Sequence, residues 1–333
     1  MTRVTLADVA ARAHVSPKTV SNVIHETGRV GASTRERVRR AIADLGYHPN
    51  LAARHLRGGD SGLIGLALPD LRQPYFAELA AHIVKEAERH GHLTVITQTD
   101  GAAEAERRVC EGVGLPRLDL LIISPLGLRE SDLAARHSDT PVLLLGEQAT
   151  VFGPGPWAHV IIPNAEAARL ATAHLLSRGR RRIAAIGWQE DEPNVTARQR
   201  LEGYQAAHRD AGIPLDEQLV RPVTFFNRFD GSQAVTDLIR REVPFDGLFC
   251  FNDTLAFGAI HTLALHGLTV PGDVAVVGFD DVAESAYSVP QLTTIGPAPA
   301  TVARAVLEAA MLPPGSFAGR HLITPDLAVR SSS

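Results

Sequence analysis

Apolar residues change their rhythm near residue 60 of this 333-residue chain. Before that point they return at steps of three and four, the signature of short amphipathic helices. Leu6, Val9, Ala10 and Ala13 form one such face, Val20, Val23 and Ile24 a second, and Val38, Ala41, Ile42 and Leu45 a third. The polar punctuation agrees. Thr5 with Asp8 three residues on reads as a capping box, Ser16 as a cap followed by Pro17 at a first helical position, and Ser33 with Glu36 as another box. Gly46 ends the third helix. A tight turn between the first two helices leaves Pro17, Lys18, Ser21 and Asn22 outward near the start of the second. A helix-turn-helix offers its second helix to the major groove in this way.

Beyond Gly62 the apolar residues run together instead. Strands are expected over 63–68, 93–97, 118–124 and 142–145, then over 182–187, 219–225, 247–251 and 274–279. Helices fall between them, over 75–90, 102–112, 164–178, 198–212, 232–240 and 255–266. Unbroken apolar strands alternating with helices argue for an α/β class with doubly wound parallel sheets. The order repeats, so two similar lobes with a cleft between them are expected. Residues 150–157, rich in Gly and Pro, read as a surface loop. Ahead of this body, Asn50 can cap a helix of two turns at most, closed by Gly58 and Gly59. So short a helix is marginal alone and needs a partner to fold against.

Composition narrows the class. Apolar content of 45% and charged content of 21% are those of an ordinary globular protein. No run approaches the roughly 18 apolar residues of a membrane span, and the N-terminus lacks an apolar signal-peptide core, so a cytoplasmic location is expected. Cys110 and Cys250 imply no disulfide framework, and the histidines show no metal spacing. Carboxylates occur without a recognised nucleophile motif, and no Gly-rich phosphate loop follows a strand. No enzyme, cofactor or metal is therefore expected. The net charge of −4 conceals an asymmetry: residues 1–57 hold ten Lys/Arg and four Asp/Glu, a net of +6, and the remainder carries −10. A basic head on an acidic body suggests that only the head meets a polyanion.

From residue 4 to residue 57 the chain resembles, without a gap, the head and hinge of the LacI/GalR family of bacterial transcription regulators. The resemblance implies a three-helix helix-turn-helix headpiece over 1–48 and a hinge helix with linker over 49–60. It implies a two-lobed periplasmic-binding-protein-like body, with an N-terminal lobe of 61–162 plus 293–333 and a C-terminal lobe of 163–292. The DNA contacts it implies are Thr5, Ser16, Pro17, Lys18, Thr19, Ser21, Asn22, His25, Arg29, Tyr47, Asn50, Ala53 and Leu56. Leu56 takes the place of a leucine wedge that kinks the central base step where two hinge helices pair in the minor groove. Two departures bear on the head. His14 stands where many members have Gly in the turn, and Asn22 stands where Arg occurs, so operator preference need not carry over. Asn can pair with adenine and Lys18 with guanine.

In open α/β sheets, ligands bind beyond the carboxyl ends of the strands. The effector contacts expected there are Asp70, Tyr75, Phe76, Ser124, Arg198, Phe226, Asn252 and Asp280. By the resemblance, Arg198, Asn252 and Asp280 are polar contacts and Phe226 is an aromatic wall; from their place at a strand end, one of Asp280 and Asp281 is expected to be a cap. Pro163 replaces an acidic residue usual just before Asn164. These types suit a mono- or oligosaccharide, with paired hydrogen bonds to hydroxyls and rings on the C–H face. The implied partners are near-palindromic operator DNA, a sugar effector and a second copy of the chain, with no membrane. A purine effector stays open, since Arg198, Phe226 and Asp280 also suit a flat heterocycle. A solute-binding protein would want a secretion signal and no basic head, and an α/β enzyme a catalytic base.

Overall fold

The computed structural model describes residues 4–24, 28–47, 61–146, 155–190, 195–312 and 316–333. They form two compact units, Met1–Ser61 and Gly62–Ser333. In the first, α1 (Leu6–Ala13), α2 (Pro17–Ile24) and α3 (Ala32–Leu45) pack around Val9, Ala10, Ala13, Val20, Val23, Val38 and Ala41. The capping box on α1 is formed, with Thr5 Oγ1 accepting from the Asp8 amide at 3.3 Å and Asp8 accepting from the Thr5 amide at 2.7 Å. His14 ends α1 at φ 52, a left-handed position that His tolerates better than most residues. Ser16 Oγ accepts from the Thr19 amide at 3.1 Å, and Pro17 opens α2. The box expected at Ser33 and Glu36 does not form. α3 starts at Ala32 with Gly31 as an extended cap, which puts Ser33 already inside the first turn.

The second unit begins with β1 (Leu63–Leu68), α4 (Pro74–Arg89), β2 (Leu93–Gln98), α5 (Ala103–Cys110), β3 (Leu120–Ile123), α6 (Glu130–Ala134), β4 (Val142–Leu145) and β5 (Ala158–Ile161). A second series follows: α7 (Asn164–Ser177), β6 (Ile183–Trp188), α8 (Val195–Asp210), β7 (Val220–Pro222), α9 (Arg228–Arg240), β8 (Gly247–Cys250), α10 (Asp253–Leu265) and β9 (Ala275–Phe279). The chain closes with β10 (Thr293–Gly296), α11 (Pro299–Ala310), β11 (Gly319–Leu322) and β12 (Asp326–Ala328). Two six-stranded sheets result, ordered β11-β5-β4-β3-β1-β2 and β12-β10-β9-β8-β6-β7, parallel throughout except for β12. The central strands are buried on both faces, which is why they read as unbroken apolar runs.

The expected return to the first lobe after Leu292 is corrected. Thr293 pairs with Val277, so β10 extends the second sheet, and Asp326 of β12 pairs back onto Gly296. Ser332 Oγ donates to the Val276 carbonyl at 2.6 Å. Only the middle of the tail belongs to the first lobe, where α11 packs on α4 and β11 pairs with β5. The chain therefore passes between lobes three times: between β5 and α7, between β10 and α11, and between β11 and β12. β5 itself escapes the sequence reading because His159 interrupts its apolar run. That ring is buried, with Nε2 at 2.9 Å from the Gly146 carbonyl.

Candidate functional site

In the head, the first turn of α2 presents Pro17 and Lys18 to solvent, with Ser16, Thr5 and Arg29 also exposed. Ser21 and Asn22 are half-buried on the next turn. Gly28, at φ +72, passes so close to Asn22 that a Cβ there would lie 3.0 Å from the amide nitrogen. Arg12 of α1 reaches Asp44 of α3 at 2.8 Å in an exposed ion pair, beside the apolar core that packs the three helices together. Two of the implied contacts are also engaged within the head. Thr19 shares a 2.9 Å hydroxyl bond with Ser16 and so serves the cap. Tyr47 is 8% exposed and packs into the core of the head. His25, Asn50, Ala53 and Leu56 lie outside the described residues.

In the body, the carboxyl ends of strands from both sheets converge on one cleft of about 580 Å³. That is within the roughly 300–1,000 Å³ of small-molecule sites. β1 delivers Asp70, β3 Ser124, β4 Gly146 and β5 Ile162; from the other lobe β6 delivers Gln189, β8 Asn252 and β9 Asp280. Pro74 opens α4 and sets Tyr75 and Phe76 in its first turn, their rings edge to face with centroids 5.2 Å apart. Phe226 faces the same space from the turn after β7. Asn252 caps α10 by accepting from the Leu255 amide at 2.8 Å, and its Nδ2 donates to the Phe226 carbonyl at 3.3 Å. Arg72 lies 2.9 Å from Asp70, and this hydrogen-bonded partner holds the Asp70 carboxyl below its usual range.

The arginine of the site is Arg200, not Arg198. Arg200 is 4% exposed, donates from Nε to Asn164 Oδ1 at 2.6 Å and from Nη1 to the Phe251 carbonyl. Its Nη2 lies 3.6 Å from Asp280, and its guanidinium sits 3.5 Å over the Phe279 ring. Arg198 is exposed and lies outside the lining of the cleft. The signal was present in the sequence. On α8 the buried positions include Ala197, Arg200, Tyr204 and Ala207, spaced three and four apart, and residue 198 falls off that stripe. Sequence reasoning also missed Arg72, Gln73, Asp100, Gln189, Thr224 and Phe225, which line the cleft from turns that carry no motif.

Strain gathers at the end of β9. Asp280 stands at φ 107 and Asp281 at φ 49, both in the region that disfavours residues with a Cβ. Asp281 is the structural member of the pair, bonded to Arg330 at 2.6 Å, while Asp280 faces Arg200. The fully buried Asp253 pins this turn. It accepts from Thr294 Oγ1 at 2.5 Å, Ser285 Oγ at 2.8 Å and the Val282 amide at 3.0 Å. Burial pushes its carboxyl up to about 7, against those three donors. The next amide, Ala283, donates across the cleft to Glu78 of α4 at 3.0 Å, a direct bond between lobes. Among the described residues no cluster of His, Cys, Asp or Glu could hold a metal ion, and no helix is long and apolar enough to cross a membrane.

A helix-turn-helix unit joined to a two-lobed cleft defines a ligand-responsive, DNA-binding transcriptional regulator. Residues 5–50 match the bacterial regulatory proteins of the lacI family, and residues 172–333 match the periplasmic binding protein-like domain. The HTH-type transcriptional repressor PurR of Aliivibrio fischeri (strain MJ11) is 33% identical over 87% of this chain and 86% of its own. The lac repressor dimer bound to operator and the anti-inducer ONPF superposes with a TM-score of 0.83, at 28% identity over 99% of both chains. The transcriptional regulator CelR in its cellobiose complex gives a TM-score of 0.67, at 28% identity over 99% of this chain and 100% of that one. The chain belongs to the LacI family, and it is a regulator and not an enzyme.

Proposed function

We propose that the protein is a homodimeric repressor of carbohydrate-utilisation genes, working in the cytoplasm. A mono- or oligosaccharide closing the cleft releases it from a near-palindromic operator. The observation that carries the sugar reading is the lining of the cleft. Tyr75 and Phe76 of one lobe face Phe226 of the other, with Ser124, Arg200, Asn252 and Asp280 supplying polar groups around them. Rings cover the apolar faces of a pyranose while donors and acceptors take its hydroxyls. The likeness to CelR, solved with cellobiose, supports this reading, and the likeness to an operator-bound dimer supports paired heads on twofold DNA. The hinge over 49–60, with Asn50, Ala53 and Leu56 in the minor groove, completes the mechanism by resemblance. Closure favours one lobe orientation and so sets the spacing of the two hinges.

A second reading keeps the fold and changes the ligand to a purine acting as co-repressor, because Phe226, Arg200 and Asp280 also suit a flat heterocycle. A thermal-shift screen of sugars with nucleobases separates the two, since a ligand at a hundred times its Kd adds about 2.7 kcal/mol. Operator release by the stabilising sugar confirms the first reading; tighter operator binding with a nucleobase establishes the second. For the head, Lys18→Ala is expected to relax preference at a single base pair and to cost about 1–3 kcal/mol on the preferred operator. Binding measured across operators substituted one pair at a time checks this. A uniform loss on every sequence would make Lys18 a phosphate contact.

A further inference from the structure

Phe225 and Phe226 are consecutive and both line the cleft, yet they are treated differently. Phe226 is half-buried and packs against the body's core, as a wall does. Phe225 is 65% exposed. Its backbone is nonetheless tightly held. The amides of Thr224 and Phe225 both donate to Asp230, at 2.9 and 2.6 Å, and the Phe225 carbonyl accepts from the Asn227 amide at 3.0 Å. Gln189 donates to the Thr224 carbonyl at 3.0 Å, and Asn227 caps α9 through the Asp230 amide. A large ring on a pinned turn at a ligand cleft presents contact area at little entropic cost on binding.

Volume and charge agree on what would cover it. A single hexose has about a dozen non-hydrogen atoms, and at no more than about 30 Å³ each, the share of one water in the liquid, it fills under about 360 Å³. The cleft holds about 580 Å³, so one hexose leaves at least about 220 Å³ of it unfilled. Among the described lining residues the charged side chains are Asp70, Asp100 and Asp280 against Arg72 and Arg200. Each of those guanidiniums already faces a carboxylate, Arg72 that of Asp70 and Arg200 that of Asp280. An anionic ligand would meet a net negative lining whose cations are engaged.

We infer that the cleft contains an outer sugar subsite floored by Phe225, beside the inner site walled by Phe226, and that its effector is a neutral disaccharide and not a hexose or a sugar phosphate. The inference rests on the sugar reading above and adds the second ring and the residue that receives it. Titration calorimetry on the full chain tests it, with cellobiose, maltose and lactose against glucose, galactose, glucose 6-phosphate and hypoxanthine. The variants are Phe225→Ala, Phe225→Tyr and, as a control of equal exposure outside the cleft, Phe229→Ala. A disaccharide is expected to bind at least tenfold tighter than its hexoses, and glucose 6-phosphate not at all. Phe225→Ala is expected to weaken the disaccharide about tenfold and the hexose less than twofold, with Phe225→Tyr and Phe229→Ala close to the parent. A disaccharide indifferent to Phe225→Ala, or a hexose that loses as much, overturns the subsite while leaving the sugar reading in place. Binding of hypoxanthine and of no sugar overturns that reading, and this subsite with it.

Discussion

Arg200→Met should abolish effector binding and lower the stability of the body by about 3–5 kcal/mol, the usual cost of removing one partner from a buried ion pair. The substitution keeps bulk and removes the buried guanidinium that faces Asp280 and donates to Asn164 Oδ1 and to the Phe251 carbonyl. Arg200→Lys should recover part of the stability and little of the binding, because an ammonium cannot reach the Asn164, Phe251 and Asp280 acceptors in one plane. Arg198→Ala is the informative contrast. An exposed substitution of this kind should fall within about 0.5 kcal/mol of the parent and leave affinity unchanged. Urea midpoints and calorimetry on the three variants check both halves. Equal losses at 198 and 200 would contradict the assignment of the site to the buried stripe of α8.

A chain starting at Gly62 should lose operator binding altogether and keep the full-length affinity for the effector. The two units divide at this point, Met1–Ser61 from Gly62–Ser333. The charge divides there too, since residues 1–57 carry +6 and the remainder −10, so the truncated chain repels the phosphate backbone it would have to approach. Fluorescence anisotropy on labelled operator, at low and moderate salt, measures the first outcome, and a thermal shift with the cognate sugar the second. Loss of both would mean that the head is needed to shape the cleft. Residual DNA binding that fades with salt would place a second basic surface on the body.

The sequence exposed most of the architecture because its strongest signals are local. The box at Thr5 and Asp8, the cap at Ser16 and the helix start at Pro17 each involve residues within one turn of each other. Where a local signal had a rival, it misled. Ser33 and Glu36 have the right spacing for a box, yet the chain enters α3 two residues too early for it, with Gly31 at the cap. Tyr47 enters the sequence reading only as a DNA contact implied by the resemblance, and the packing of its ring into the core of the head was not foreseen. The cleft was half legible. Residues just beyond strand ends could be placed, namely Asp70, Ser124, Phe226, Asn252 and Asp280, and so could Tyr75 and Phe76 at a helix start. Those in unmarked turns could not.

What the chain alone determined is its two rhythms, the basic head apart from the acidic body, and the repeated strand-helix order that makes two parallel sheets. Those follow from periodicity and charge, which neighbours in sequence set between them. Tertiary structure alone decided which arginine enters the cleft, which aspartate of the Asp280–Asp281 pair meets it, and which sheet takes β10 and β12. Arg200 meets Asn164 from 36 residues away and the Phe251 carbonyl from 51, and Thr294 meets Asp253 from 41. The free energy of such contacts depends on burial and on partners brought together only when both lobes have closed their cores.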